Sequence, residues 1–119
     1  LAEAVQRHIR RHPRLSGPGP SGSRFEHWGT LRHHQAGMEA AGRVLPRILF
    51  GNIPADALAA NLSARLVALT KKDGGVRPLA CGGVVRRLVA KAACTTLRAD
   101  LRDAAGPHQL AIGQSVGIE

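Results

Sequence analysis

Two short apolar runs meet at an Asp-Gly-Gly turn, and this restricts the fold more than any other feature of the chain. Arg65 to Lys72 is the first run, Val76 to Cys81 is the second, and Asp73-Gly74-Gly75 lies between them. Strand-like runs on either side of an Asp-Gly pair are a strong short-range signal for a β-hairpin. Pro78 has no N–H to give to a ladder, so its strand is expected at an edge or leaving the sheet. Gly82-Gly83 breaks the second run. From Val84 the apolar period becomes helical, and one long helix is expected to about Ala104, ended by Gly106-Pro107. Two hairpin registers are open. A three-residue loop, Asp73 to Gly75, sets Lys71 opposite Arg77, whereas a two-residue loop sets Lys72 diagonal to it.

Upstream of the hairpin the pattern is helical. Ala2 to His12 reads as a short basic helix with Ala4, Val5, His8 and Ile9 on one face, stopped by Pro13. Arg7, Arg10, Arg11 and Arg14 fall mostly on its other faces. Residues 16–23 form a Gly/Pro/Ser loop with no helix or strand propensity. Ser23 with Glu26 three residues on reads as a capping box, which predicts a helix from Arg24 to about Gln35. A further helix is expected from Met38 to about Phe50, with Val44, Leu45, Ile48 and Leu49 as its apolar side. Pro54 opens a short piece through Ala60. The chain therefore divides into a helical segment, 1–60, a hairpin with a long basic helix, 61–105, and a Gly-spaced irregular stretch, 106–119. The expected class is α+β. At 119 residues it can bury one core, and Leu rather than Met at position 1 suits a piece of a longer product.

Charge narrows the function classes. Lys plus Arg is 17 against 8 for Asp plus Glu, a net charge of +9 that implies an anionic partner. Arg supplies 14 of the 17 cations, and its planar fork suits phosphate. Aromatic residues are 3% with no Tyr, which argues against base-stacking modules. No apolar run approaches the ~20 residues of a membrane span, and no secretory signal is visible, so an intracellular site, nuclear or cytoplasmic, is expected.

Other motifs carry little chemistry. Cys81 and Cys94 read as two buried, reduced thiols, since neither belongs to a Cys-x-x-Cys pair. Gly17 to Gly22 matches Gly-x-Gly-x-x-Gly, but a basic helix precedes it and two prolines remove N–H donors, which excludes a dinucleotide fold. His27, His33 and His34 lack a fourth partner of suitable spacing and read as solvated or capping residues. Asn61-Leu62-Ser63 reads as a chance sequon. Asp56, Asp73, Asp100 and Asp103 show no pairing for acid–base work, so no catalytic or metal-ligating residue is assigned.

The hairpin is different. Lys71, Lys72 and Arg77 flank a tight turn, where cations on a rigid ribbon can clamp a polyphosphate. In the helix that follows, Arg87, Lys91, Arg98 and Arg102 fall within an arc of about 60°. Val85, Leu88, Val89, Ala92 and Ala99 lie on one flank, and Ala90, Cys94, Leu97 and Leu101 on the other. Such a stripe suits a phosphate backbone.

These residues resemble a known family. Lys71-Lys72-Asp73-Gly74-Gly75-Val76-Arg77-Pro78-Leu79-Ala80 is similar to the fingers hairpin of reverse transcriptases, a K-K-D-G-G-x-R-P-[IL] segment. Arg86-Arg87-Leu88-Val89-Ala90-Lys91 continues the likeness as in polymerases of non-LTR retrotransposons. Gly19-Pro20-Ser21-Gly22 through Glu26-His27 resembles the segment that precedes the fingers there, although Phe25 replaces the usual Pro. Gln109 followed by Gly113 resembles the stretch between fingers and palm. The resemblance implies RNA-directed DNA synthesis, with an RNA template, a DNA primer, dNTP and the rest of the palm as partners. It implies that Lys71 and Arg77, helped by Lys72, hold the dNTP triphosphate. Arg86, Arg87 and Lys91 would contact template or primer backbone, with Arg98 and Arg102 extending the stripe. The family uses Mg²⁺ on palm aspartates in F/Y-x-D and Y/F-x-D-D segments, and neither occurs here. The expectation is thus a fingers portion, inactive alone, that binds no cofactor itself. The alternative is a non-catalytic basic nucleic-acid-binding module.

Overall fold

Ile9 and Val5 are sealed from solvent at the centre of the molecule, and the fold follows from what they touch. The structure, a computed structural model, describes residues 1–109. Helix α1 (Ala2–Arg10) buries Ala4, Val5 and Ile9, the apolar stripe anticipated for it. That stripe packs against α3 (Gln35–Val44) and α5 (Val84–Thr96). Phe25 from α2 (Phe25–Gly29), Met38 and Ala41 from α3, and Val84, Leu88, Val89 and Ala92 from α5 complete the core with Leu45. Helix α4 (Ala55–Leu62) follows Pro54 and contributes no buried residue.

The strands β1 (Ala64–Thr70) and β2 (Val76–Gly82) form one antiparallel hairpin. It projects from the helical body, and only Val67, Cys81 and Gly82 are even partly covered. Helices with one hairpin make the described chain α+β.

The helical expectations upstream of the hairpin need correction. The helix from Arg24 to Gln35 is instead α2 followed by a 3-10 turn, Thr30–His33. Ser23 does not cap it: the Ser23 hydroxyl accepts from Trp28 Nε1 at 3.0 Å, and His27 Nδ1 accepts the Arg24 N–H at 3.2 Å. Glu26 reaches back to the Leu15 N–H at 2.7 Å. The next helix starts at Gln35, capped by His34, and gives way at Leu45–Ile48 to a 3-10 turn because Pro46 cannot donate. Its buried side is Met38, Ala41, Gly42 and Leu45, whereas Val44 and Leu49 are exposed.

The long helix is two helices. It breaks at Leu97, with φ −94° and ψ 9°, and resumes as α6 (Arg98–Ala105). The Thr95 and Thr96 hydroxyls bond back to the carbonyls of Lys91 and Ala92, at 2.8 and 2.9 Å, side-chain back-bonds of a kind that bends helices. Of its two apolar flanks only Leu88, Val89 and Ala92, with Val85 half-buried, pack. Ala90, Cys94, Leu97, Ala99 and Leu101 are exposed. Cys94 is therefore not the buried thiol expected; Cys81 is half-buried, and both are free.

Candidate functional site

The turn sequence sets the geometry of the hairpin tip. Thr70 pairs with Val76 and Leu69 with Arg77. The Lys71 N–H donates to the Gly75 carbonyl at 2.7 Å, and the Gly74 N–H to the Lys71 carbonyl at 3.1 Å. The loop is thus Lys72-Asp73-Gly74, three residues long but displaced by one from the three-residue loop expected. Gly74 has φ +84°, the left-handed position that ends such loops and that a Cβ disfavours. Asp73 Oδ1 accepts the Gly75 N–H at 2.9 Å and locks the turn. Neither anticipated register occurs, since Leu69 lies opposite Arg77.

The strand period settles which lysine joins Arg77. Lys71 is two residues beyond Leu69, so it shares Arg77's face and lies diagonal to it. Lys71, Lys72 and Arg77, with Leu69, Thr70 and Asp73, line an open hollow of about 480 Å³. All three cations are solvent-exposed, and none makes a side-chain hydrogen bond or ion pair among the described residues. Such a hollow can hold oxyanions from two sides at once.

The basic residues after the hairpin separate into two groups. Arg86 Nη1 donates to the Leu62 carbonyl at 3.1 Å, closing the C-terminus of α4 beside the base of the hairpin. Arg87 is half-buried. Its Nη1 donates to Ser16 Oγ at 2.9 Å, its Nη2 to the Gly17 carbonyl at 2.6 Å, and its guanidinium lies 5.0 Å from the centre of the Phe25 ring. Its Nε is buried without a partner. Both arginines are tied to backbone of their own chain, Arg87 half-buried and Arg86 exposed. Lys91 is exposed on α5, and Arg98 and Arg102 are exposed on α6, where Arg102 pairs with Asp103 at 3.2 Å. The break at Leu97 divides the stripe.

The Gly/Pro loop has a role that its sequence hid. A β-carbon on Gly19 would lie 2.6 Å from Gly83 Cα, so the loop backbone rests directly on the base of the hairpin. Glycines on both sides of that contact, Gly19 and Gly82-Gly83, were its only signal. The three histidines act locally: His27 and His34 accept backbone N–H groups, and His33 Nε2 accepts from Arg32 Nε at 2.9 Å.

The His8 ring bonds Thr95 Oγ1 at 3.0 Å. Burial, then Lys91 and Arg7, holds its pKa below the usual histidine value. Among the described residues no group of three or more His, Cys, Asp or Glu side chains is placed to hold a metal ion. No helix among them is long and apolar enough to cross a membrane. Gly113 and most of the stretch 106–119 lie outside the described residues.

No family model, no curated protein and no solved structure matches this chain.

Proposed function

We propose that this chain is a fingers-type segment of an RNA-directed DNA polymerase whose hairpin tip holds the triphosphate of an incoming nucleotide. One observation carries the reading: Lys71, Lys72 and Arg77 line a single open hollow beside a glycine turn. Arg77 supplies the planar fork, and Lys71, diagonal on the same face, supplies a point charge. Arg86 and Arg87 support the site by fixing the hairpin base and the loop against it. Lys91, Arg98 and Arg102 are the residues offered to template or primer phosphates, with affinity expected to fall steeply with salt. A chemical step would need palm carboxylates and their metal ions, which this reading assigns to other residues of the polymerase.

The test is a titration of the 119-residue chain with dNTP, followed through the Gly74 and Gly75 amides. Triphosphates should bind tighter than monophosphates, whatever the base. Arg77→Ala should lose about 1.5–3 kcal/mol, the worth of a charged hydrogen bond, and Arg77→Lys should recover only part of it. Unchanged binding by Arg77→Ala overturns the assignment. The openness of the hollow favours one second reading, a non-catalytic nucleic-acid-binding module. Oligonucleotides would then displace dNTP without any preference for a triphosphate.

A further inference from the structure

A second concentration of positive charge lies far from the hairpin in sequence. The last turn of α1 and the chain that follows it face α2 and the 3-10 turn Thr30–His33 across a hollow of about 350 Å³. Arg10, Arg14 and Arg32 line it with His12, Thr30 and Glu26. The walls are built rather than incidental. Gly29 admits the His12 ring, because a β-carbon there would overlap His12 Cε1. His12 Nδ1 bonds the Ile9 carbonyl at 3.0 Å, which fixes that ring. Arg32 Nε is held by His33 Nε2 at 2.9 Å, which orients the guanidinium and leaves its two Nη groups uncommitted among the described residues.

The chain next to Arg14 is strained. Leu15 has φ +57°, a left-handed conformation that a branched side chain rarely adopts, and its own side chain is 88% exposed. The Glu26 carboxylate holds it there by taking its N–H at 2.7 Å. That bond fixes the path of the chain at Arg14. Backbone strain over-determined in this way clusters at binding sites. Hydrogen bonding from its own backbone and from the Leu15 N–H keeps the Glu26 carboxyl below the usual range, so it counts as an anion, with Oε1 on Leu15 and Oε2 buried without a partner among the described residues. Three guanidiniums against one carboxylate leave a local charge of +2.

We propose that this hollow binds a phosphate dianion, either free inorganic phosphate or the terminal monoester of a polynucleotide. The charge matches, and two or more arginine forks can grip one tetrahedral oxyanion. The site is independent of the triphosphate reading of the hairpin.

The experiment titrates the 119-residue chain with inorganic phosphate at constant ionic strength, observing the His12 and His33 ring protons and the Thr30 amide. Saturable shifts are expected. Arg14→Gln and Arg32→Gln, both at exposed positions, should each weaken binding about tenfold or more. Arg11→Gln, at the residue that follows α1 and outside the hollow, should change nothing, and neither should Arg77→Ala. Non-saturating shifts, or an equal loss with Arg11→Gln, would reduce the hollow to diffuse charge and overturn the proposal. A trinucleotide with and without a 5′-phosphate then separates the sources. Competition by the phosphorylated form alone identifies a polynucleotide end, and competition by neither identifies free phosphate. Equal competition by both would show that diesters suffice and would refute a dianion site.

Discussion

Removing Arg87 should cost stability, because in this fold its guanidinium is a strut. Arg87→Ala deletes two charged hydrogen bonds, to Ser16 Oγ at 2.9 Å and the Gly17 carbonyl at 2.6 Å. It also deletes the contact with the Phe25 ring. Two such bonds at a half-buried site are worth about 3 kcal/mol together, taken at the low end of their range. The cation–π contact adds about 1 kcal/mol. Losing the unpartnered buried Nε returns about 1 kcal/mol. The net is about 3 kcal/mol, or about 10 °C in Tm for a chain of this length. Urea denaturation measures it, and limited proteolysis should show faster cleavage within residues 14–24. Arg87→Lys should keep one bond and recover about half. If Arg87 instead faced solvent as part of a basic stripe, Arg87→Ala would cost less than about 0.5 kcal/mol. It would then flatten the salt dependence of nucleic-acid binding. That pair of results would refute the reasoning.

Three further outcomes are expected. Gly19→Ala should destabilise by about 1–3 kcal/mol, because its β-carbon would meet Gly83 backbone that has no side chain to move aside; urea titration checks it. Gly74→Ala should cost about 1–2 kcal/mol through its φ of +84° and weaken the Leu69–Arg77 pairing, seen as lost cross-strand NOEs. His8 has a depressed pKa in the folded protein, so the unfolded chain binds its proton more readily. Its contribution is present above the unfolded value near 6.5 and is lost as pH falls below that value through the folded one. His8→Gln should therefore flatten the fall in Tm across that acidic window, and an unchanged profile would remove His8 from the account.

The basic residues show where sequence reasoning stops. Arg87 and Lys91 share one face of a helix by period alone, yet one is tied to a loop about seventy residues away and the other is free to meet solvent. Periodicity assigns a face but not what lies across from it. The arginine-lined hollow was out of reach for the same reason. Arg10 and Arg14 were visible as a basic face, while Arg32 joins them only because α2 and the 3-10 turn fold back beside α1. A left-handed Leu15 has no compositional signal at all.

What the sequence determined alone was local. The Asp-Gly-Gly turn fixed a hairpin, Pro54 fixed the start of α4, and the spacing of Ala4, Val5 and Ile9 fixed the buried face of α1. Each rests on steric or hydrogen-bonding preferences of a few neighbouring residues, which the chain carries wherever it goes. Register was left to the folded hairpin, because a shift by one residue trades one set of strand contacts for another of nearly equal strength. The break at Leu97 was left to packing. The α5 flank up to Ala92 is held by α1 and the 3-10 turn Leu45–Ile48, whereas α6 has no buried residue, so the threonine back-bonds bend the helix where burial no longer holds it straight. The loop at Gly19 was decided last. Its conformation comes from a guanidinium on α5 and a glycine pair at the hairpin base, two groups that only the tertiary fold brings to it.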